Sequence, residues 1–191
     1  MITTYLFDLD DTIIDTSVYA RMYHELITEI VVNLNISEID LQKEITKLKQ
    51  ETGKEKVDTY DLCEKLNCTE VYYKVLEKYV KHTYTLKTPA VPMIFKKIKA
   101  NKKQIGIISA SQERTIQLFL DRFNLAQYVD YIESGNKTTV LFWIQLEKKI
   151  MLDKNTTLVI DDSDEILQVA EHAGYKVLNV KNIDNLEKFE Y

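Results

Sequence analysis

Cysteine, proline, glycine and tryptophan are scarce in this 191-residue chain, with two, two, four and one copies. Cys63 and Cys68 are spaced too loosely for a CxxC zinc or redox site, and one pair makes no disulfide framework. A reduced, cytoplasmic setting is therefore expected. No apolar run approaches the roughly 18 residues that a membrane helix needs, and neither an internal repeat nor a low-complexity stretch is present. The first apolar run begins a few residues after Met1, so no signal peptide is expected. An excess of positive charge is also missing. The 25 basic and 30 acidic residues leave a net charge of −5, which excludes nucleic acid and anionic membrane as principal partners. The local basic run Lys96–Lys103 reads as the solvated end of a helix, where lysines complement the macrodipole.

Hydrophobic residues make up 45% of the chain, enough for one domain with a modest insertion. Besides the opening run Tyr5-Leu6-Phe7, short apolar runs at Gln104–Ile108, Tyr128–Ile132, Thr157–Ile160 and Lys176–Val180 read as strands. Helical periodicity separates them at Gln112–Phe123, Thr138–Met151 and Glu165–His172, with Gly174 ending the last. Near-continuous Ile, Val and Leu in the strands signals burial on both faces. The predicted fold class is α/β, a doubly wound parallel sheet with right-handed crossovers. Residues 15–88 break this rhythm with four amphipathic helices: Val18–Leu34, one after Ser37, Thr59–Leu66, and Glu70–Tyr84 with Thr69 as its N-cap. The expected organisation is a core of residues 1–14 and 89–191, and a helical cap of residues 15–88 at the ligand-binding edge of the sheet.

The strand tips carry the chemistry. Asp8 and Asp10 follow the first strand at i and i+2, so their side chains point the same way. At about 4 Å and an effective dielectric near 20, such a pair costs roughly 4 kcal/mol, which a hard divalent cation offsets. The second strand ends at Ser109, Lys137 follows the third at the start of a helix, and Asp161-Asp162 ends the fourth. A parallel sheet brings these tips to one edge. A hydroxyl, an ammonium and several carboxylates together suit phosphoryl transfer through an aspartyl phosphate. One aspartate attacks phosphorus, and a second protonates the leaving oxygen and later deprotonates water. The hydroxyl and lysine hold phosphate oxygens, and magnesium offsets charge.

The ordered set FDLDDT, IIS, Lys137 and VIDD resembles the four motifs of the haloacid dehalogenase superfamily, over essentially the whole chain. The resemblance implies a phosphatase-branch hydrolase with a C1-type helical cap, acting on a small phosphorylated metabolite. By it, Asp8 is the nucleophile, Asp10 the general acid/base, and Ser109 and Lys137 the phosphate-binding residues. Magnesium is implied on the Asp8 carboxylate, the Asp10 backbone carbonyl and an acid of the 161–162 pair. The family's use of the second position favours Asp162, with Asp161 supporting it. An acid at Asp10 separates phosphatases from the dehalogenase branch. Three positions depart from the family pattern. Asp11 stands where many members have Gly, and Thr138 follows Lys137 in place of the frequent Pro. Ile166 occupies a position that often carries a further acid, a role for which Asp164 or Asp161 are substitutes. A sugar phosphomutase, a phosphonate hydrolase and a non-catalytic binding descendant share this core. A signalling receiver is excluded, because its acids, phosphorylated Asp and Lys come in a different order.

Overall fold

The structure, a computed structural model, describes residues 1–191. Strand β1 (Thr4–Phe7) is followed by four helices, α1 (Ser17–Leu34), α2 (Glu38–Thr52), α3 (Thr59–Lys65) and α4 (Thr69–His82). Strands and helices then alternate: α5 (Val91–Ala100), β2 (Gln104–Ser109), α6 (Glu113–Arg122), β3 (Tyr131–Ser134), α7 (Val140–Ile150), β4 (Thr157–Asp161), α8 (Asp164–His172), β5 (Lys176–Asn179) and α9 (Ile183–Lys188). The chain forms two compact units, Met1–Thr16 with Thr85–Tyr191, and Ser17–Tyr84. No helix is long and apolar enough to cross a membrane.

In the first unit the five strands make one parallel sheet, ordered β3-β2-β1-β4-β5, with helices on both faces. This is the α/β class that the apolar runs predict. The centre of the sheet explains their composition: β1 and β4 are buried at every position. Register aligns Phe7 with Ile107 on one side and with Ile160 on the other, so Asp8, Ser109 and Asp161 emerge at one edge. Where the chain leaves this unit and returns to it, Ile14 pairs antiparallel with Leu86. The Asp15 amide donates to the Thr85 carbonyl at 2.8 Å and the Lys87 amide to Ile13 at 2.8 Å, closing a short ribbon.

Two local expectations are corrected. The third strand lies at Tyr131–Ser134 rather than 128–132, because Ala126–Tyr128 closes a 3-10 turn. As an edge strand, β3 has side chains that are half-exposed or exposed, and this removes the apolar signal. Thr69 is the first residue of α4 and not its cap; Cys68 occupies the cap position without a side-chain bond.

The second unit is all helical. A buried stripe of α1, Val18, Met22, Leu26 and Ile30, recurs every four residues, as an amphipathic helix requires. Ion pairs join α1 to α4 at Glu29–Lys74 (2.8 Å) and Glu25–Lys78 (2.7 Å). At the start of α2, Ser37 Oγ accepts the Asp40 amide at 3.1 Å, as the capping pattern predicts. Cys63 and Cys68 are free and buried. They sit at the two ends of a turn in which the Cys68 amide donates to the Cys63 carbonyl and Asn67 is left-handed, at φ 54°.

The closest approach in the sheet is at Gly106, where an added Cβ would lie 2.0 Å from the Tyr131 ring on the neighbouring strand. Gly106→Ala is therefore expected to destabilise the protein by about 1–3 kcal/mol through overpacking, read as a lower urea midpoint at unchanged slope. Tyr131→Ala in the same background should recover part of the loss. An unchanged midpoint for Gly106→Ala would show that the ring moves aside freely.

Candidate functional site

Asp8 is the first residue past β1, and its amide continues the ladder to the Ile160 carbonyl at 2.9 Å. Its carboxylate is 5% exposed and pairs with the Lys137 ammonium, itself 5% exposed. The same ammonium lies 2.6 Å from Asp161 Oδ2. Asp161 Oδ1 accepts the Ser163 amide at 2.9 Å, so both oxygens of that carboxylate are engaged. Lys137 stands in the turn ahead of α7, whose N-cap is Thr139. What fixes the lysine is Trp143, fully buried, whose indole N–H donates to the Lys137 carbonyl at 3.0 Å.

Ser109 is fully buried at the tip of β2. Its oxygen accepts the Ser111 amide at 3.0 Å, and its carbonyl accepts the Gly135 amide at 2.8 Å. The Ser109 hydroxyl hydrogen therefore remains available to a ligand. Asp10 is half-buried, and its Oδ2 accepts the Ser111 hydroxyl at 2.7 Å. Ser111 stands just ahead of α6, but Gln112 takes the cap position of that helix.

Asp11 belongs to a separate network. Its backbone is left-handed, at φ 55°, which explains why glycine suits this position. Its carboxylate accepts Thr16 Oγ1 at 2.6 Å and pairs with Lys87 at 2.9 Å. Ile166, 9% exposed, packs in the same core cluster as Trp143 and Val159. Asp164 is exposed and engaged by Asn179 at 2.6 Å. Neither position supplies an extra acid to the buried group.

Carboxylate oxygens of Asp8, Asp161 and Asp162 all lie within 4.8 Å of one another. Asp10 lies close enough for its charge to act on Asp8, and the Lys137 ammonium is bonded to Asp8 and Asp161. The donors are hard oxygens and the charge excess is negative, so the residues fit a hard divalent cation such as magnesium. Burial pushes the Asp8 carboxyl above the ordinary carboxylate range; Lys137 pulls it back, and Asp161 and Asp10 push it further up. Asp162 is likewise raised, by burial and then by Asp161 and Asp11. Burial disfavours the Lys137 ammonium, but Asp8 and Asp161 outweigh it and hold the group protonated.

The chain belongs to the haloacid dehalogenase-like hydrolase family, whose model matches residues 5–180. It is thus an enzyme of that hydrolase family. No curated protein matches the sequence. Among solved structures, the β-phosphoglucomutase of Clostridium difficile is 21% identical, with a TM-score of 0.64 over 98% of this chain and 88% of that one. CbbY from Rhodobacter sphaeroides, in complex with phosphate, is 13% identical, with a TM-score of 0.65 over 93% and 85%. A hydrolase from Streptococcus pneumoniae is 15% identical, with a TM-score of 0.57 over 98% and 99%. At these identities the likeness carries the fold.

The raised carboxyls set the sign of a stability experiment. Asp8 and Asp162 bind protons more tightly in the folded state than in the unfolded one. Without a divalent cation, their contribution to stability therefore falls as pH rises from about 5 to about 8. Asp11, lowered by Thr16 and Lys87 against the effect of burial, is ionised throughout that window and adds no slope. A cation on the cluster reverses the trend. Saturating magnesium is expected to raise Tm by roughly 5–10 °C near pH 8, and by less near pH 5. Thermal unfolding at both pH values checks this, and a Tm that ignores magnesium near pH 8 would refute a cation site at Asp8.

Proposed function

We propose that the protein is a magnesium-dependent phosphatase that hydrolyses a small phosphomonoester through an aspartyl phosphate on Asp8. The observation that carries this reading is the buried Lys137 ammonium joined to both Asp8 and Asp161, with Asp162 oxygens in the same cluster, at the tips of adjacent strands. In the first half-reaction an Asp8 oxygen attacks phosphorus. The bond from phosphorus to the leaving oxygen breaks, and Asp10 gives that oxygen its proton. In the second, Asp10 takes a proton from water, which attacks the phosphorus and releases inorganic phosphate and free Asp8. The Ser109 hydroxyl and the Lys137 ammonium hold the phosphoryl oxygens.

Asp8, the Asp10 backbone carbonyl and Asp162 would hold the magnesium ion, which when bound offsets the repulsion between the anionic nucleophile and the phosphate. The choice of Asp162 is supported by Asp161 having both oxygens committed, to Lys137 and to the Ser163 amide. In this reading residues 15–88 are the C1-type cap and set substrate choice. The substrate is a phosphorylated metabolite, a class to which the xylulose-1,5-bisphosphate bound by CbbY also belongs. Neither nucleic acid nor membrane is a partner, and the free thiols of Cys63 and Cys68 accord with a cytoplasmic setting.

The likeness to a β-phosphoglucomutase favours one second reading, transfer from Asp8 to a sugar hydroxyl in place of water. Phosphate release separates the two. The purified protein is expected to liberate inorganic phosphate from an aryl phosphate only with magnesium, reversibly inhibited by a chelator. Asp8→Asn should lower kcat on the order of 10⁴-fold. Wild-type turnover by Asp8→Asn would exclude Asp8 as the nucleophile, and phosphoenzyme formation without phosphate release would favour the transferase.

A further inference from the structure

Three serines, at the tip of β2, in the loop after it and at the tip of β3, form a chain that ends on Asp10. The Ser134 hydroxyl donates to the Ser111 carbonyl at 2.7 Å, and the Ser111 amide donates to Ser109 Oγ at 3.0 Å. Ser111 is thus held from both sides of its own backbone, by the tip of β3 and by the tip of β2. Its hydroxyl then donates to Asp10 Oδ2 at 2.7 Å, across 101 residues of sequence.

We infer that Ser111 is a positioning residue for Asp10: its hydroxyl, bonded to Oδ2, holds the carboxyl in the orientation from which it exchanges its proton. This deepens the proposed phosphatase reading and rests on Asp10 being the general acid. A hydroxyl that donates to one carboxyl oxygen fixes where that oxygen sits and so sets the direction in which the carboxyl faces. It also removes the side-chain freedom that would let the acid turn away from the leaving oxygen. In the transfer step nothing is added to the balance. The phosphorus–oxygen bond breaks, the bond to Asp8 forms, the Asp10 proton goes to the leaving oxygen, and Ser111 keeps its own hydrogen throughout.

The experiment compares two substrates whose leaving groups differ in their need for a proton. An aryl phosphate expels a stable phenolate and needs little acid assistance, whereas an alkyl phosphate depends on it. For Ser111→Ala, kcat/KM is expected to fall about 10- to 100-fold for the alkyl phosphate and no more than about twofold for the aryl phosphate. Inhibition by inorganic phosphate should be unchanged, and Ser111→Thr, which keeps the hydroxyl, should restore the rate. Ser134→Ala, which removes one anchor of the loop, should give the same selective loss on a smaller scale. Equal losses on both substrates, or weakened phosphate inhibition, would overturn the inference and place Ser111 on the phosphate instead. Asp10→Ala is measured alongside. If it loses alkyl turnover while Ser111→Ala does not, only the positioning role fails. If Asp10→Ala matches wild type on both substrates, the acid/base reading beneath it fails.

Discussion

The structure depends on bringing four carboxylates to one edge of a sheet, with the buried Lys137 ammonium bonded to two of them. Asp8 follows β1 and Asp161 ends β4, and the ladder between those strands makes them neighbours whether or not their charges agree. At about 4 Å and an effective dielectric near 20, each like-charged contact costs roughly 4 kcal/mol. That is a large share of the 5–15 kcal/mol by which a typical domain is stable. Lys137 supplies the counter-charge, and it must come from outside the adjacent strands, in the turn that follows edge strand β3. Its backbone is therefore anchored independently, through the Trp143 indole. Trp143 packs with Leu6, Val159 and Ile166, so part of the hydrophobic core holds one ammonium in place.

The remaining acids are kept apart by their partners. Asp11, one residue from Asp10, is turned by its left-handed backbone toward Thr16 and Lys87. Asp10 is tied through Ser111 to the β2 and β3 tips. Carboxylates that are close together in sequence thus occupy distinct electrostatic settings, as is required when chemically identical groups are to do different work. Lys87 also lies close enough to Asp15 and Asp162 for their charges to raise its proton affinity, after the larger effect of its bond to Asp11 and against burial.

The tips of β1, β2 and β4 were legible in the sequence because a buried strand must be apolar and its first polar residue marks where it ends. Asp8, Ser109 and Asp161 all obey that rule. The edge strand was not placed correctly, since Glu133 and Ser134 carry no burial signal. The role of Ser111 was hidden for a different reason: a serine before a helix caps it in most contexts, and only the position of Asp10, 101 residues away, redirects the hydroxyl. Trp143 is fully buried, but its bond to the Lys137 carbonyl depends on how the turn between them closes. Periodicity reports which face is buried, and it carries no information on such turns.

The same reasoning accounts for the apolar residue at 166. An acid there would stand on the first turn of α8, where the helix dipole welcomes negative charge. In this chain that turn already carries Asp164 and Glu165, both outside the buried cluster. Ile166 instead faces the core shared with Trp143, the residue that fixes Lys137. Replacing Ile166 by an acid would add a charge beside a group already in negative excess and would remove apolar packing from the cluster that contains Trp143. The chain therefore adds no further charge at this position, and Ile166 contributes to the core that holds Trp143, the residue bonded to the Lys137 carbonyl.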